Sequence, residues 1–374
     1  MQIPLTKSFI KKELILKQIE QFLKADELSS DNIITKFEDA VKKYNNDVDG
    51  KYIAVSNATN ALEVALLYLN NGNTYEQREI NEIIIPSWSK ITSGFSVPRV
   101  GAKAIWCDIN RFGVASAKTI EPHISDNTAA IVVVHQLGMP CDMKAINELA
   151  GKHNISVIED GSSAFGSEYE NNRIGKSSNI TILSFDEGAI IAVRDTDTEK
   201  WIRSYIQSGI NYTDLQKEFF DKLGGDYIIP KIIAALELAK LQYKDEEINL
   251  KTKAAEHYDE QIKSLNIAGF GIACGNIIPP TCTKYNWNDY HIILSKKYLR
   301  DVVVEKLRSK GIDCTWDFQA THSQPTINER IVLPGTDIFH KSGLRLPLFA
   351  EITKEEQNFI IQSLKEVLDE FTIY

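Results

Sequence analysis

The chain carries little that would mark a secreted, membrane-spanning or metal-bound protein. Its five cysteines, Cys107, Cys141, Cys274, Cys282 and Cys314, are scattered and odd in number. That argues against a disulfide framework, and no pair has zinc-ligand spacing, so no metal is expected. No run of about 18 consecutive apolar residues occurs, so no spanning helix and no membrane partner are expected. The opening stretch, MQIPLTKSFIKKELILKQ, has no apolar segment of signal-peptide length, and a cytoplasmic setting is the expectation. Excess positive charge is missing as well. The net charge is −9, which disfavours a general phosphate-backbone binder such as a nucleic-acid protein but leaves room for a local basic pocket. Internal repeats and low-complexity runs are absent.

What is present is an alternation of short apolar runs and amphipathic helices over 374 residues, enough for one large and one smaller domain. Residues 8–24 and 31–44 read as helices, the second capped by Ser30-Asp31. Strands are predicted at Tyr52-Ile53-Ala54-Val55, Ile83-Ile84-Ile85, Ala104 to Asp108 and Ala130 to Val134. A helix from Asp142 to His153 leads to a further strand at Ile155. Strand and helix alternate from 52 to 194, which predicts a mostly parallel sheet flanked by helices. Pro230 is read as the start of one long helix to about Leu265. The domains are placed at 1–240 and 241–374, the second a small α+β unit with a strand at His291 to Leu294 and a helix from Tyr298 to Lys310.

Residues 155–194, ISVIEDGSSAFGSEYENNRIGKSSNITILSFDEGAIIAV, organise the rest. The first strand ends in Glu159-Asp160. A carboxylate at the C-terminal end of a buried parallel strand lies where α/β sheets bind ligands, although Asp160 capping the next turn fits the residues equally well. The turn Ser56-Asn57-Ala58-Thr59-Asn60 joins a strand to a helix N-terminus, a ready anion site. A simple helix cap by Thr59 or Asn60 is the competing reading.

These motifs resemble those of the DegT-type nucleotide-sugar aminotransferases, which have the fold-type I architecture of pyridoxal-phosphate (PLP) enzymes. Those enzymes carry Glu-Asp-Ala-Ala-Gln-Ala-His-Gly, then Gly-Arg-x-x-Gly, then Ser-Phe-x-x-x-Lys and Gly-Glu-Gly-Gly. Here the chain has Glu159-Asp160-Gly161-Ser162-Ser163-Ala164-Phe165-Gly166, then Asn172-Arg173-Ile174-Gly175, then Ser184-Phe185-Asp186-Glu187-Gly188-Ala189. Thr321-His322-Ser323-Gln324-Pro325 resembles the family's Leu-His-x-Gln-Pro turn. The resemblance implies an α/β fold-type I protein and places the cofactor or ligand cleft at Ala58, Thr59, Asn60, Trp88, Asp160, Ser163, Ser184 and Asp226. Arg173 and His322 become substrate candidates.

The resemblance fails at the chemistry. The family lysine that forms the Schiff base is absent after Phe185, and no histidine replaces it between Ser184 and Val193. Lys90 stands where the family stacks an aromatic ring on the pyridine, and an ammonium cannot supply a flat apolar face. Asp226 replaces an asparagine that meets the cofactor phosphate from the neighbouring subunit. The expectation is therefore a homodimeric pseudoenzyme of nucleotide-sugar and surface-polysaccharide (O-antigen or capsule) biosynthesis. It would bind a nucleotide sugar and hold no covalent cofactor. Two alternatives stand beside it: an active PLP enzyme using an unusual lysine, Lys90 or Lys176, or a non-catalytic partner of an active paralogue. Lys90, His135, Asp186 and Glu187 are the remaining catalytic candidates, with His291 a further histidine at a strand.

Overall fold

A computed structural model describes residues 2–24, 32–71, 81–212, 217–264, 272–274, 278–294, 299–316 and 318–371. The apolar runs form a seven-stranded sheet from β1 (Lys51–Val55), β2 (Glu82–Pro86), β3 (Lys103–Cys107), β4 (Thr128–Val134), β5 (Ser156–Asp160), β6 (Ile180–Ser184) and β7 (Ala189–Val193). Their order is β1-β7-β6-β5-β4-β2-β3, parallel from β3 through β6, with β7 antiparallel to both its neighbours. The strands are apolar on both sides because both faces are covered. Ile84, Ile131, Val133, Val157 and Leu183 join one core cluster, while Ile83, Ile85, Val132, Ile158 and Ile182 join the other. The side-chain period of two sends neighbouring residues to opposite faces.

The helices of this part of the chain with nine or more residues are α1 (Lys12–Lys24), α2 (Asn32–Tyr44), α3 (Ala58–Asn71), α4 (Ile91–Arg99), α5 (Met143–His153) and α6 (Thr196–Tyr205). The single long helix expected from Pro230 is two, α7 (Lys231–Leu241) and α8 (Lys244–Ser264). Gln242 and Tyr243 turn between them, their N–H groups donating back only three residues, to Ala239 and Lys240. Tyr243 is buried edge-on against Phe9, ring centroids 5.6 Å apart, which pins the corner. Pro230 is the N-cap of α7 and not its first helical residue. The Ser30-Asp31 cap lies outside the described residues.

A smaller antiparallel sheet orders Ile272–Cys274, Tyr290–Leu294, Gly343–Leu346 and Thr315–Trp316, with helices Arg300–Ser309 and Lys354–Asp369 beside it. The N-terminus reaches this part of the fold. Ile3 is buried, donates its N–H to Gly311 and accepts from Asp313. Residues 6–9 therefore run as a strap from the small sheet to α1. The strap passes the carboxyl ends of the large sheet's strands, where open α/β sheets place their ligands.

Candidate functional site

The β6–β7 connection is the floor of the site. Ser184 pairs with Ala189, so only Phe185, Asp186, Glu187 and Gly188 lie in the turn. Phe185 donates its N–H to the Gly188 carbonyl at 3.2 Å, and Gly188 has φ +89°, a left-handed geometry that glycine adopts without strain. The Phe185 ring packs against Phe37 and Phe165 at 5.0 and 4.7 Å, filling the space beneath the turn. Nothing in these four residues carries an amine.

An amine does arrive from elsewhere. Lys240, on α7, donates to Asp186 Oδ2 and to Glu237 Oε1, both at 2.9 Å. Glu237 also accepts the Glu187 N–H at 3.3 Å. Burial raises the Glu237 pKa and Lys240 opposes it. Burial works against the Lys240 ammonium, but Glu237 and Asp186 outweigh it and raise its pKa, so the nitrogen is kept protonated and non-nucleophilic. Asp186 and Glu187, catalytic candidates that read equally as a solvated turn, are both exposed. The Asp186 carboxylate goes to Lys240, and Glu187 is exposed, engaged through its backbone.

Above this floor opens a cleft of about 360 Å³, bordered by the strap residues Thr6 to Phe9 and by Lys90, Ser162, Ser163 and Ser184. Among the described residues, six basic and four acidic side chains line it, a local positive excess in an acidic chain. Glu247 lies between Lys244 and Lys251 at 2.9 and 2.8 Å. Burial would raise its carboxyl, but the two ammonium groups hold it down to about 2.

Of the residues singled out from the sequence, Lys90, Ser163, Ser184 and Asp186 line this cleft. Asp160 sits buried just behind it, accepting from the Ser93 hydroxyl at 2.9 Å and from the Ser162 N–H at 3.1 Å. Both carboxylate oxygens thus have partners within the chain. Ala58, Thr59 and Asn60 form the first turn of α3 outside the cleft lining. The cap there is Asn57, whose Oδ1 accepts the Asn60 N–H at 2.9 Å, and not Thr59 or Asn60. Asp226 is exposed, and the following residues run antiparallel to the end of β1 in the same chain, Tyr227 accepting the Ser56 N–H.

Six further candidates lie away from the cleft. Trp88 is fully buried against Phe339 and Phe318, because the turn after β2 pairs with Ala320 and sends the indole toward the small sheet. Arg173 is held by Asp245 at 3.2 Å and lies 3.8 Å over the Tyr44 ring. His322 is buried with its Nδ1 2.6 Å from Ser87 Oγ, and burial lowers its pKa. His135 is fully buried just past the C-terminal end of the interior strand β4. The Cys141 N–H donates to its Nδ1 at 2.9 Å, which leaves Nε2–H to donate to Glu159 at 2.9 Å. Lys176 donates to the Asn46 carbonyl and does not line the cleft. His291 is buried too, and burial pushes its imidazole down to about 4. Lys240 and Glu237 were missed by sequence reasoning; their spacing of three on an apolar helix was the only signal.

Among the described residues no group of three or more His, Cys, Asp or Glu could hold a metal ion, and no helix is long and apolar enough to cross a membrane.

A model of the DegT/DnrJ/EryC1/StrS aminotransferase family matches residues 10–365. The chain is 29% identical over 355 residues to GDP-perosamine synthase of Escherichia coli O157:H7, covering 90% of this chain and 91% of that one. Its fold is similar to that of PseC of Helicobacter pylori, an aminotransferase involved in the biosynthesis of pseudoaminic acid. The TM-score is 0.89 at 20% identity, over 99% of this chain and 100% of that one. It is also similar to the PLP form of the sugar aminotransferase Spr1654 of Streptococcus pneumoniae, with a TM-score of 0.86 at 18% identity, over 99% of each chain.

Proposed function

The chain belongs to the DegT/DnrJ/EryC1/StrS aminotransferase family, and from that premise we propose that it is a nucleotide-sugar-binding member that holds no pyridoxal phosphate covalently. Its place would be in the synthesis of sugars for surface polysaccharide, in the cytoplasm. The observation that carries this reading is the closed four-residue turn from Phe185 to Gly188, with the Lys240 ammonium clamped above it by Asp186 and Glu237.

Bound PLP would supply an electron sink for amino transfer. That chemistry needs a neutral amine for the Schiff base and the proton transfers, an anion free to face the ring nitrogen, and an apolar stacking face. The residues here do not fit that group. The turn has no amine, Lys240 is held protonated by Asp186 and Glu237, and Lys90 faces the cleft where an aromatic ring would be needed.

The nucleotide-sugar half rests on the basic excess of the cleft and on hydroxyl and amide groups that suit a sugar: Ser162, Ser163 and Asn288. Titration calorimetry against UDP-, dTDP- and GDP-sugars tests it, and binding to none of them would refute it. The same reading takes the protein as a homodimer. The hairpin of Ile210–Tyr212 and Glu218–Phe220 exposes Phe219, Phe220 and Leu223, apolar surface that a second copy would cover. Light scattering at micromolar concentration distinguishes dimer from monomer.

A further inference from the structure

We propose that Lys90 is the anchor for the diphosphate of the nucleotide ligand, a reassignment of a position that faces the cleft without an aromatic ring. The inference rests on the nucleotide-sugar reading and names the group that would hold the ligand's charge.

Five of the cleft's six basic side chains are engaged. Lys7 pairs with Glu351, Lys240 with Asp186 and Glu237, Lys244 and Lys251 with Glu247, and Arg345 with Asp289. Among the described residues Lys90 is the cleft cation with no carboxylate at ion-pair distance, and its side chain is exposed to the cleft. It is also the N-cap of the nine-residue helix α4, so the positive end of the helix dipole adds to its field.

A second group converges on the same place. Ser163 is only 6% exposed and lines the cleft. A hydroxyl at the cleft wall can donate to an acceptor bound there. Asp160 ties the two together, since it binds Ser93 in the first turn of α4 and the Ser162 N–H next to Ser163. The result is an ammonium without a carboxylate partner, a helix N-terminus and a serine hydroxyl at one wall of a net positive cleft. That is the chemistry of a phosphoryl site, and a compact, strongly hydrated lysine suits it as a point charge.

Calorimetry on the full chain with UDP, dTDP, GDP, their nucleosides, pyrophosphate and PLP tests the assignment. Lys90→Gln is expected to weaken the preferred nucleoside diphosphate roughly tenfold or more, the scale of one charged hydrogen bond. Lys90→Arg should restore most of that affinity, and Lys176→Gln, outside the cleft, should match the wild type. Binding to the corresponding nucleoside should be unmoved by Lys90→Gln. Wild-type binding that Lys90→Gln leaves intact overturns the anchor while sparing the nucleotide reading. Pyrophosphate or PLP binding as tightly as every nucleoside diphosphate overturns the assignment to a nucleotide. No binding of any nucleotide by the wild type overturns both. A thermal melt of each variant shows that lost affinity is not lost fold.

Discussion

The Phe185 N–H meets the Gly188 carbonyl at 3.2 Å, and that one bond closes the turn where the family resemblance implies a lysine. Four residues joined to strands in full register leave no slack for a longer excursion. The consequences for chemistry run from this closure through Lys240 to the cleft.

Gly188 holds the closure open to test. At φ +89° an alanine would adopt a disfavoured backbone, and its Cβ would come within 2.7 Å of the Ile229 Cδ1. The isoleucine tip can swing away, so the backbone term dominates. Gly188→Ala should cost about 1–2 kcal/mol in urea unfolding.

Lys240 neutralises a nearly buried carboxylate, Glu237, whose side chain is 3% exposed. Removing the ammonium alone strands that charge. Lys240→Met should therefore lose about 3 kcal/mol, and Lys240→Met with Glu237→Gln should recover a large part of it. Equal stability of the single and double variants would contradict the clamp.

His135 makes the same argument away from the site. Its bond to Glu159 is fully buried, and Glu159 keeps only the Thr181 hydroxyl once the ring is gone. His135→Leu should destabilise the fold by about 3 kcal/mol and leave nucleotide affinity unchanged, measured well below the melting temperature.

The acid limb of stability should carry the signature of Glu247. Its folded pKa of about 2 lies below the ordinary value of 4.5. A depressed carboxyl stabilises the fold above its unfolded pKa and loses that contribution as the pH falls through the folded one. The difference in stability between wild type and Glu247→Gln should be largest above pH 4.5 and vanish near pH 2, on the order of 3 kcal/mol at most. Urea titrations across that range provide the measurement.

The large sheet and the shortened turn were legible because their signals are local. Apolar runs of five with flanking turn residues spell out buried strands, and a missing lysine is missing whatever the fold does. The direction of a side chain at a turn was not legible. Trp88 and Lys90 are two residues apart, yet one fills the core beside Phe339 and the other faces the cleft. Pairings across long stretches of chain were equally hidden. Arg173 is taken by Asp245, and Lys240 reaches back to Asp186, contacts that only the packed helices create. Asn57 is the opposite case. It stands three residues before Asn60, the spacing of an N-cap, so this cap is legible in the sequence alone.

The central claim is that no lysine of this chain holds the cofactor. Incubating the purified full-length protein with excess pyridoxal phosphate, reducing with borohydride and mapping lysines by mass spectrometry tests it directly. The account predicts no stoichiometric adduct and no Schiff-base absorbance before reduction. One equivalent of reduced cofactor on a single lysine, whether Lys90, Lys240 or another, would contradict it.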